Sequence, residues 1–350
     1  MQGEYRIIDD PERWDSFVLQ SPQGHFLQSY AWGEFKSRFG WKVKRVALEA
    51  GGQLQAGAQL LLRPTPLGAV GYVPRGPIID ANNEALTSDI VRSLHEVARS
   101  QGAIFLKVEP NTLLGEALLD LGFHRSTQTI QPKGTIVIDL SLSLDEISAR
   151  QKSKTRYNIK LASRRGVEVS EGKREDLPVF HEIMKITGSR DEFAIRPLEY
   201  YQQLMDICGE SMKLLLAGYQ GEVLAGLLIS IFGREAIYLY GASSNKHRNL
   251  MPTYLLQWQA MKLAKEMGCT RYDMWGIPSE AALGSSDGGS ETDNSDPAQG
   301  LWGVYRFKQG FGGSAESCPG AFDYVYSPPR YRLWTKLVPW AQRLRRKVAR

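Results

Sequence analysis

The side chains of this sequence that suit chemistry are mostly cations, and several stand close to aromatic residues. Lys308 directly follows Phe307, and Arg196 precedes Tyr200 by four residues. A lysine ammonium is a compact charge with movable donors, whereas arginine can clamp phosphate oxygens with two parallel hydrogen bonds. Residues four apart on a helix share a face, so Arg196 and Tyr200 can reach one ligand. These residue types suit the binding of anions and the stabilisation of developing negative charge.

The cysteines and histidines indicate neither a disulfide framework nor a metal site. Cys208, Cys269 and Cys318 are widely spaced and odd in number, and they form no CxxC pair. The five histidines are scattered, without HxxE or HExxH spacing. We therefore expect no metal and no cofactor.

Charge is unevenly distributed along the chain, whose net charge is +5. Basic residues collect from Arg150 to Arg165 and again from Arg330 to Arg350, whereas the segment from Ala281 to Ala298 is acidic. Such basic clusters suit a polyanion, either nucleic acid or the anionic face of a membrane. A solvated helix face explains them equally well.

A repeated order of predicted elements must position these residues. Residues 51–110 read as a glycine turn, two apolar runs, a helix, a glycine and a final apolar run, and residues 220–278 repeat that order. Gly52 and Gly221, 169 residues apart, hold equivalent positions. This period is far longer than the roughly 20 to 50 residues of solenoid repeats. It predicts two copies of one domain.

Further elements surround the two copies. An amphipathic basic helix is predicted from Asp145 to Arg165, and a mobile loop over 284–300, which is rich in Gly, Ser, Asp and Asn. We expect domain 1 to span 1–144 plus 322–350, and domain 2 to span 145–321. The other predicted helices are Asp10 to Leu19, Tyr30 to Phe39, Asp176 to Gly188 and Pro197 to Cys208. The mobile loop separates the last predicted strand from the segment Leu301 to Phe311.

Helices followed by an antiparallel meander and a crossover helix predict an α+β fold, with mixed sheets covered by helices. The order resembles the GNAT acyltransferase fold, whose acyl-CoA enzymes carry a loop of pattern Q/R-x-x-G-x-G/A. The corresponding loops here, Pro74 to Asp80 and Ser243 to Pro252, lack that pattern. Acyl-CoA is therefore disfavoured as the donor. No apolar stretch is long enough to span a bilayer, and the N-terminus lacks a signal sequence, so we expect a cytoplasmic protein.

Six short stretches lie in order over nearly the whole chain and match the pattern of one known family. They are Trp32 to Lys36, Tyr72 to Pro77, Arg156 to Lys160, Arg190-Asp191 with Arg196 and Tyr200, Tyr238 to Ser243, and Tyr305 to Phe311. This series resembles the Fem family of non-ribosomal peptidyltransferases. The resemblance implies two tandem GNAT-like domains with a cleft between them. It also implies transfer of an amino acid from aminoacyl-tRNA to the side-chain amine of a peptidoglycan precursor.

The resemblance assigns roles to individual residues. Lys308 would neutralise the developing oxyanion or a terminal phosphate, with Phe307 packed or stacked beside it. Lys36, Arg196 and Tyr200 would hold the diphosphate of a UDP-linked precursor.

Other assignments concern the amine, the precursor and the tRNA. Glu109, at a strand end, would accept the proton of the attacking amine or bind its ammonium form, or would simply cap a loop. Arg75 and Tyr240 would line the precursor site. We expect Tyr238 and Tyr240 to point to opposite faces of their strand, so that at most one faces a ligand. The basic helix would guide the tRNA acceptor arm through Lys152, Arg156 and Lys160.

We therefore interpret the chain as a compact Fem-type enzyme for the interpeptide bridge, because the segment from Gly166 to Tyr201 is too short for the coiled-coil arm of larger members. Its expected partners are aminoacyl-tRNA and either UDP-MurNAc-pentapeptide or a lipid-linked precursor. We expect a monomer whose basic tail could contact the inner face of the membrane. The alternatives are an acyl-CoA or small-molecule N-acyltransferase and a noncatalytic protein that binds tRNA or membrane.

Overall fold

The computed structural model describes residues 5–79, 83–111, 114–278 and 297–336. The chain divides into two compact units, one comprising 1–131 and 318–350 and the other 132–317. The sequence prediction placed these boundaries at 144/145 and 321/322. The first boundary lies earlier because the strand Gly134–Asp139 pairs within the sheet of the second unit.

The first unit is a seven-stranded mixed sheet with helices. Its strands lie in the order β1-β2-β3-β4-β5-β14-β6. They are β1 (Tyr5–Ile7), β2 (Lys42–Ala50), β3 (Gln53–Thr65), β4 (Gly68–Pro74), β5 (Ala103–Glu109), β6 (His124–Arg125) and β14 (Phe322–Val325). The helices are α1 (Pro11–Gln20), α2 (Tyr30–Arg38), α3 (Glu84–Ser100) and α4 (Gly115–Asp120), and residues 328–336 are also helical. The apolar face of α3 packs on the sheet and supplies much of the core.

The second unit has the same architecture, with strand order β8-β9-β10-β11-β12-β7-β13. Its strands are β7 (Gly134–Asp139), β8 (Glu168–Gly172), β9 (Met212–Tyr219), β10 (Glu222–Phe232), β11 (Glu235–Ser243), β12 (Arg271–Asp273) and β13 (Ser314–Ser317). Its helices are α5 (Leu144–Arg150), α6 (Ser153–Arg164), α7 (Leu177–Arg190), α8 (Leu198–Cys208), α9 (Pro252–Glu266) and α10 (Pro297–Gln309). Single 3-10 turns lie at Phe26–Gln28, Arg174–Asp176, Gly209–Ser211 and Arg248–Leu250.

The repeat predicted from the sequence is present in the structure. In the first unit α3 connects β4 to β5, which pair in parallel, and in the second unit α9 connects β11 to the parallel strand β12. Gly102 and Gly268 end the two crossover helices with φ angles of 69° and 86°. This left-handed conformation favours glycine at a helix C-terminus. The two copies therefore share a core topology as well as a sequence pattern.

The sixth strand of each sheet comes from outside its repeated segment. After β6, at the edge of the first sheet, the chain continues into β7, which pairs antiparallel with β12 of the second sheet. After β13, at the edge of the second sheet, it continues into β14, which pairs antiparallel with β5 of the first. The sequence analysis did not predict these two strands.

The sequence predicted one continuous basic helix from Asp145 to Arg165. That prediction is wrong, because the segment forms two helices, α5 and α6. Gln151 and Lys152, between α5 and α6, have extended ψ angles of 146°. The Lys152 amide donates to the Gly310 carbonyl at 2.9 Å, and a side chain at Gly312 would collide with the Arg150 carbonyl. The break thus arises from contact with a distant segment.

The predicted mobile loop over 284–300 lies mostly outside the described residues. Its last four residues belong to α10, which begins at Pro297. Proline suits the first turn of a helix, where its missing N–H leaves no bond unmade.

Candidate functional site

Lys308 lies in the last turn of α10 and is only 5% exposed. Its Nζ donates to the Trp275 carbonyl at 2.9 Å and to the Gly276 carbonyl at 2.7 Å, and the Tyr238 ring centre lies 5.7 Å away. Burial lowers the pKa of Lys308 to about 8, while the Asp273 carboxylate opposes that shift. An ammonium has three N–H groups, and among the described residues only these two carbonyls accept from it.

A bulge after β12 presents these two carbonyls. The Met274 amide donates to the Ile136 carbonyl, and the Ile277 amide donates to the Gly134 carbonyl. Trp275 and Gly276 therefore lie opposite a single residue of β7, Thr135, and Trp275 has a φ of 60°. Bulges of two residues against one re-aim groups beside functional sites.

Phe307, half-buried, packs among aromatic side chains. Its ring centre lies 5.0 Å from that of Tyr254 and 5.2 Å from that of Phe311, both edge to face. Such arrangements are favourable because the ring edge is positive and the ring face negative. Phe307 thus joins the Lys308 turn to α9.

The structure brings Arg196, Tyr200 and Tyr240 together in the second unit. The Arg196 guanidinium carbon is 5.1 Å from the centre of the Tyr200 ring, and the Tyr240 hydroxyl donates to the Tyr200 hydroxyl at 3.2 Å. Burial raises the pKa of both phenols, so both are neutral near pH 7. Helical spacing is not the cause of the contact, since α8 begins only at Leu198. Arg196 itself is exposed and can receive an anion.

Tyr238 and Tyr240 point to opposite faces of β11, but a regular strand would not produce this result. Side chains two residues apart on a strand share a face. Here Tyr240 pairs with Leu228 and Tyr238 with the next residue, Ile229, so Leu239 is an extra residue that reverses the alternation. Tyr240 contacts Tyr200, whereas Tyr238 lies beside Lys308. The sequence analysis did not assign Tyr238 to the site.

Lys36, in the first unit, is surrounded by aromatic rings. Its Nζ lies 5.4 Å from the Trp32 ring centre, 5.9 Å from that of Phe35 and 5.7 Å from that of Trp41. The faces of such rings attract a cation. Arg75, also in this unit, is buried, with a φ of 51° directly before the cis peptide Gly76–Pro77.

Glu109 is 2% exposed, and three donors engage its carboxylate. Oε2 accepts from the Tyr72 hydroxyl at 2.6 Å and from the Gln131 amide at 3.0 Å, while Oε1 accepts from the Ile130 amide at 2.6 Å. These bonds fix the 130–131 segment against β5. The contacts match the loop-capping alternative, and a role in proton transfer stays a prediction.

The three residues predicted to bind tRNA differ in orientation. The Lys152 ammonium donates to the Gln309 side chain, and the Arg156 guanidinium donates to the carbonyls of Ala149 and Gln151. The bonds of Lys152 and Arg156 support the α5–α6 junction. Lys152 and Lys160 are both exposed, and Arg156 is half-buried.

Lys160 shares the outer face of α6 with three other residues, and we call this set the α6 face. Its members are Lys154, Tyr157, Lys160 and Arg164. Tyr157 is 56% exposed. Within the described chain, no carboxylate lies within ion-pair distance of the three cations.

The described residues contain neither a metal-like cluster nor a helix that could span a membrane. No three His, Cys, Asp or Glu side chains come together there as a metal would require. No helix in that part of the chain combines the length and apolarity needed to cross a membrane. Residues 337–350, which include most of the predicted basic tail, lie outside it.

The sequence matches the FemAB family over residues 10–121, 117–222 and 218–338. The chain belongs to the FemAB family. The prediction of a Fem-type peptidyltransferase is thereby confirmed. The compact form also agrees with the structure, since the described segment 166–201 contains only β8, a 3-10 turn, α7 and the start of α8.

Two similar proteins allow the length and the fold of this chain to be compared with those of known proteins. The lipid II:glycine glycyltransferase of Staphylococcus epidermidis is 26% identical over 417 aligned residues, covering 97% of each chain. The 417 positions exceed the 350 residues here by 67, so that relative has segments without a counterpart in this chain. The crystal structure of FemX has a TM-score of 0.83 and 26% identity, covering 94% of this chain and 99% of that one.

A tandem GNAT protein from the clavulanic acid biosynthesis pathway shares the fold alone, with a TM-score of 0.53 and 14% identity over 93% of this chain and 99% of that one. Together with FemX it confirms the predicted α+β fold of two tandem GNAT-like domains.

Sequence reasoning missed the bulge at Trp275, whose carbonyls accept from Lys308, and the side chains of Asp273 and Thr135 beside it. One signal was available. Asp273 interrupts the otherwise apolar end of the run Cys269 to Trp275, and a charged residue inside a buried strand needs partners. The partner Thr135 is 138 residues away, and no spacing in the sequence connects the two.

Proposed function

We propose that this protein transfers an amino acid from aminoacyl-tRNA to the side-chain amine of a peptidoglycan stem peptide, which builds the interpeptide bridge. The observation that carries the proposal is Lys308, a buried ammonium whose third N–H has no acceptor among the described residues. Membership of the FemAB family and a relative named for glycine transfer to lipid II support the reaction class.

The proposed reaction is aminolysis of an ester. The primary amine of the stem peptide attacks the aminoacyl carbonyl and a tetrahedral oxyanion forms. The C–O bond to the terminal ribose of the tRNA then breaks, and the proton that the amine loses goes to the departing ribose oxygen, which leaves as a hydroxyl. An activated ester needs little nucleophilic assistance, so positioning and charge stabilisation dominate. Lys308 would donate its third N–H to the oxyanion, and its burial strengthens that interaction because little water competes.

The acceptor is proposed to bind through phosphate. Lys36 and the pair of Arg196 and Tyr200 are separate proposed phosphate contacts, one in each unit. Lys36 offers an ammonium among aromatic rings, and Arg196 offers a guanidinium on the Tyr200 face. The name of the staphylococcal relative favours a lipid-linked acceptor over a UDP-linked one.

The donor is proposed to bind along the α6 face. Single-stranded nucleic acid binds to cationic grooves in which bases stack on aromatic side chains. Lys154, Lys160 and Arg164 supply positive charge, and the exposed ring of Tyr157 supplies a stacking surface. Lys160 retains its predicted tRNA contact, while Lys152 and Arg156 would act indirectly by holding the base of α6.

The test is to incubate the protein with a mixture of charged tRNAs and with either UDP-MurNAc-pentapeptide or the lipid-linked precursor, and to weigh the products by mass spectrometry. We expect one acceptor to gain the mass of an amino-acid residue. Lys308→Met should abolish this gain, while Lys185→Met, at an exposed lysine paired with Glu182, should retain it. Transfer from acyl-CoA with none from tRNA would support the N-acyltransferase instead, and binding of tRNA without any transfer would support a noncatalytic protein.

A further inference from the structure

The bulge that holds Lys308 is itself held by one buried carboxylate. Asp273, at the end of β12, is 6% exposed. Its Oδ1 accepts from the Trp275 amide at 2.6 Å and from the Thr135 hydroxyl on β7. A carboxylate that accepts a hydrogen bond from the amide two residues later forms a local turn.

This support matters because Trp275 is in an unfavourable backbone conformation. A bulky residue with a φ of 60° is rare, and it persists only where surrounding contacts determine it. The Asp273 bond to the Trp275 amide is such a contact, and the backbone bonds at Met274 and Ile277 fix both ends of the bulge. Without the bulge, the carbonyls of Trp275 and Gly276 would not both face Lys308.

We propose that Asp273 and Thr135 are positioning residues, which hold the Trp275–Gly276 bulge and thereby aim the Lys308 ammonium. This inference deepens the proposed function and rests on it for the role of Lys308. Neither residue need touch the substrate. Thr135 orients the Asp273 carboxylate, and that carboxylate holds the bulge through the Trp275 amide. The bulge carbonyls in turn orient the Lys308 ammonium.

Within the part of the chain that the structure describes, few charged or titratable groups face Lys308. Asp273 on β12 is the carboxylate whose charge favours the ammonium form. On β11, Tyr238 is a neutral phenol, because burial raises its pKa to about 12, and Gln257 on α9 contacts it as an uncharged group. Strand β7 contributes the uncharged Thr135 hydroxyl. Removing the Asp273 charge should therefore lower the pKa of Lys308 further.

The experiment compares Asp273→Asn, Asp273→Ala and Thr135→Val in the full-length protein. Asparagine keeps an oxygen for the Trp275 amide but removes the charge, alanine removes both, and valine keeps the charge but removes the hydroxyl. Asp206→Asn, an exposed aspartate paired with Arg174, is the control. Lysine side-chain NMR without substrate reports the pKa of Lys308, with its signal assigned by its loss in Lys308→Met. The pH profile of kcat is measured in parallel.

We expect Asp273→Asn to lower the pKa of Lys308 by about one unit, as loss of a nearby opposite charge does. Asp273→Ala should also lower kcat by at least about tenfold, since misplacing a catalytic group by about 1 Å can cost about 100-fold. Thr135→Val should lower kcat with a smaller pKa change, and the Asp206 control should match wild type.

Two results would overturn the inference. One is a Lys308 pKa and a kcat that stay at wild-type values in both Asp273→Asn and Thr135→Val. The other is an Asp273→Ala protein whose folded fraction has the wild-type kcat. A shifted Lys308 pKa in a protein that transfers no amino acid would instead leave the positioning role intact and refute the proposed function.

Discussion

The fifth strands of the two sheets carry opposite charges at equivalent positions. Lys107 in β5 and Asp273 in β12 each follow, by five residues, the glycine that ends the crossover helix of their unit. Lys107 forms an ion pair with Asp323 on the neighbouring strand β14, at 2.7 Å, with side chains 7% and 3% exposed. Its Nζ also donates to the Ser126 hydroxyl and the Gln128 carbonyl. The first unit thus pairs its buried lysine with a buried carboxylate of the same sheet.

The second unit treats the same position differently. Asp273 faces Val137 on the neighbouring strand β7, so the sheet offers it no cation in register. Its carboxylate accepts a hydrogen bond from the Trp275 amide in the bulge. Its charge also stabilises the ammonium form of Lys308, which lies on the helix α10. A buried ion pair is costly unless all its hydrogen bonds are made. The difference teaches that equivalent positions serve two ends: in the first copy a charge is paired across the sheet, and in the second a carboxylate supports a bulge beside an ammonium whose third N–H has no acceptor among the described residues.

Asp323→Ala should produce the largest effect on folding and none on chemistry. Leaving Lys107 buried without its carboxylate should reduce the free energy of unfolding by about 3 to 5 kcal/mol. Denaturant unfolding measures the loss, and kcat of the folded protein should remain at the wild-type value. A large fall in kcat without loss of stability would show that the first unit's ion pair is not purely structural.

Lys308→Met should lower kcat and leave stability unchanged, the reverse of the effect expected for Asp323→Ala. Removing a donor to an oxyanion lowers kcat by about 100- to 1000-fold, while stability should hold because methionine fills a similar volume without a buried charge. Single-turnover transfer from aminoacyl-tRNA measures the rate, and Lys185→Met is the matched control. A wild-type rate in Lys308→Met would show that the buried ammonium of the second unit has no part in transfer, and would remove its contrast with the structural ion pair of the first unit.

The effects of Lys308 on the transfer rate and on stability should change in opposite directions as pH rises. Because its pKa is lowered to about 8, transfer should fall as pH rises through about 8 and the ammonium is lost. The unfolded chain holds that proton up to its ordinary pKa of 10.5, so the contribution of Lys308 to stability should rise between these pH values. Rate and unfolding profiles of wild type and Lys308→Met measure both trends, and the difference between the two proteins should vanish if Lys308 does not titrate in this range.

The smallest expected effect lies on the α6 face. Lys160→Gln should weaken tRNA binding and reduce the slope of log affinity against log salt by about one. Tyr157→Ala should weaken binding with little change in that slope, since stacking carries no charge. Filter binding over a salt series measures both, with Lys185→Gln as control. Equal slopes in wild type and Lys160→Gln would place the tRNA elsewhere.

Local patterns predicted the repeated elements closely. The helix predicted within residues 51–110 is observed as Glu84–Ser100, because apolar periodicity and a terminal glycine are properties of neighbouring residues. The strands β7 and β14 were missed because each is short and pairs with a strand distant in sequence. The break between α5 and α6 was missed for the same reason, since its cause is the segment at Gly310.

The sequence by itself determined that the chain holds two copies of one domain, that it resembles the Fem family, and which residues carry its charges. Tertiary structure alone decided that Lys308 is buried, that its ammonium meets the carbonyls of Trp275 and Gly276, and that Asp273 and Thr135 hold those carbonyls in place. The physical reason is distance along the chain. Lys308 and Trp275 are 33 residues apart and Thr135 and Asp273 are 138 apart, and only the folded sheet brings such groups within hydrogen-bond reach.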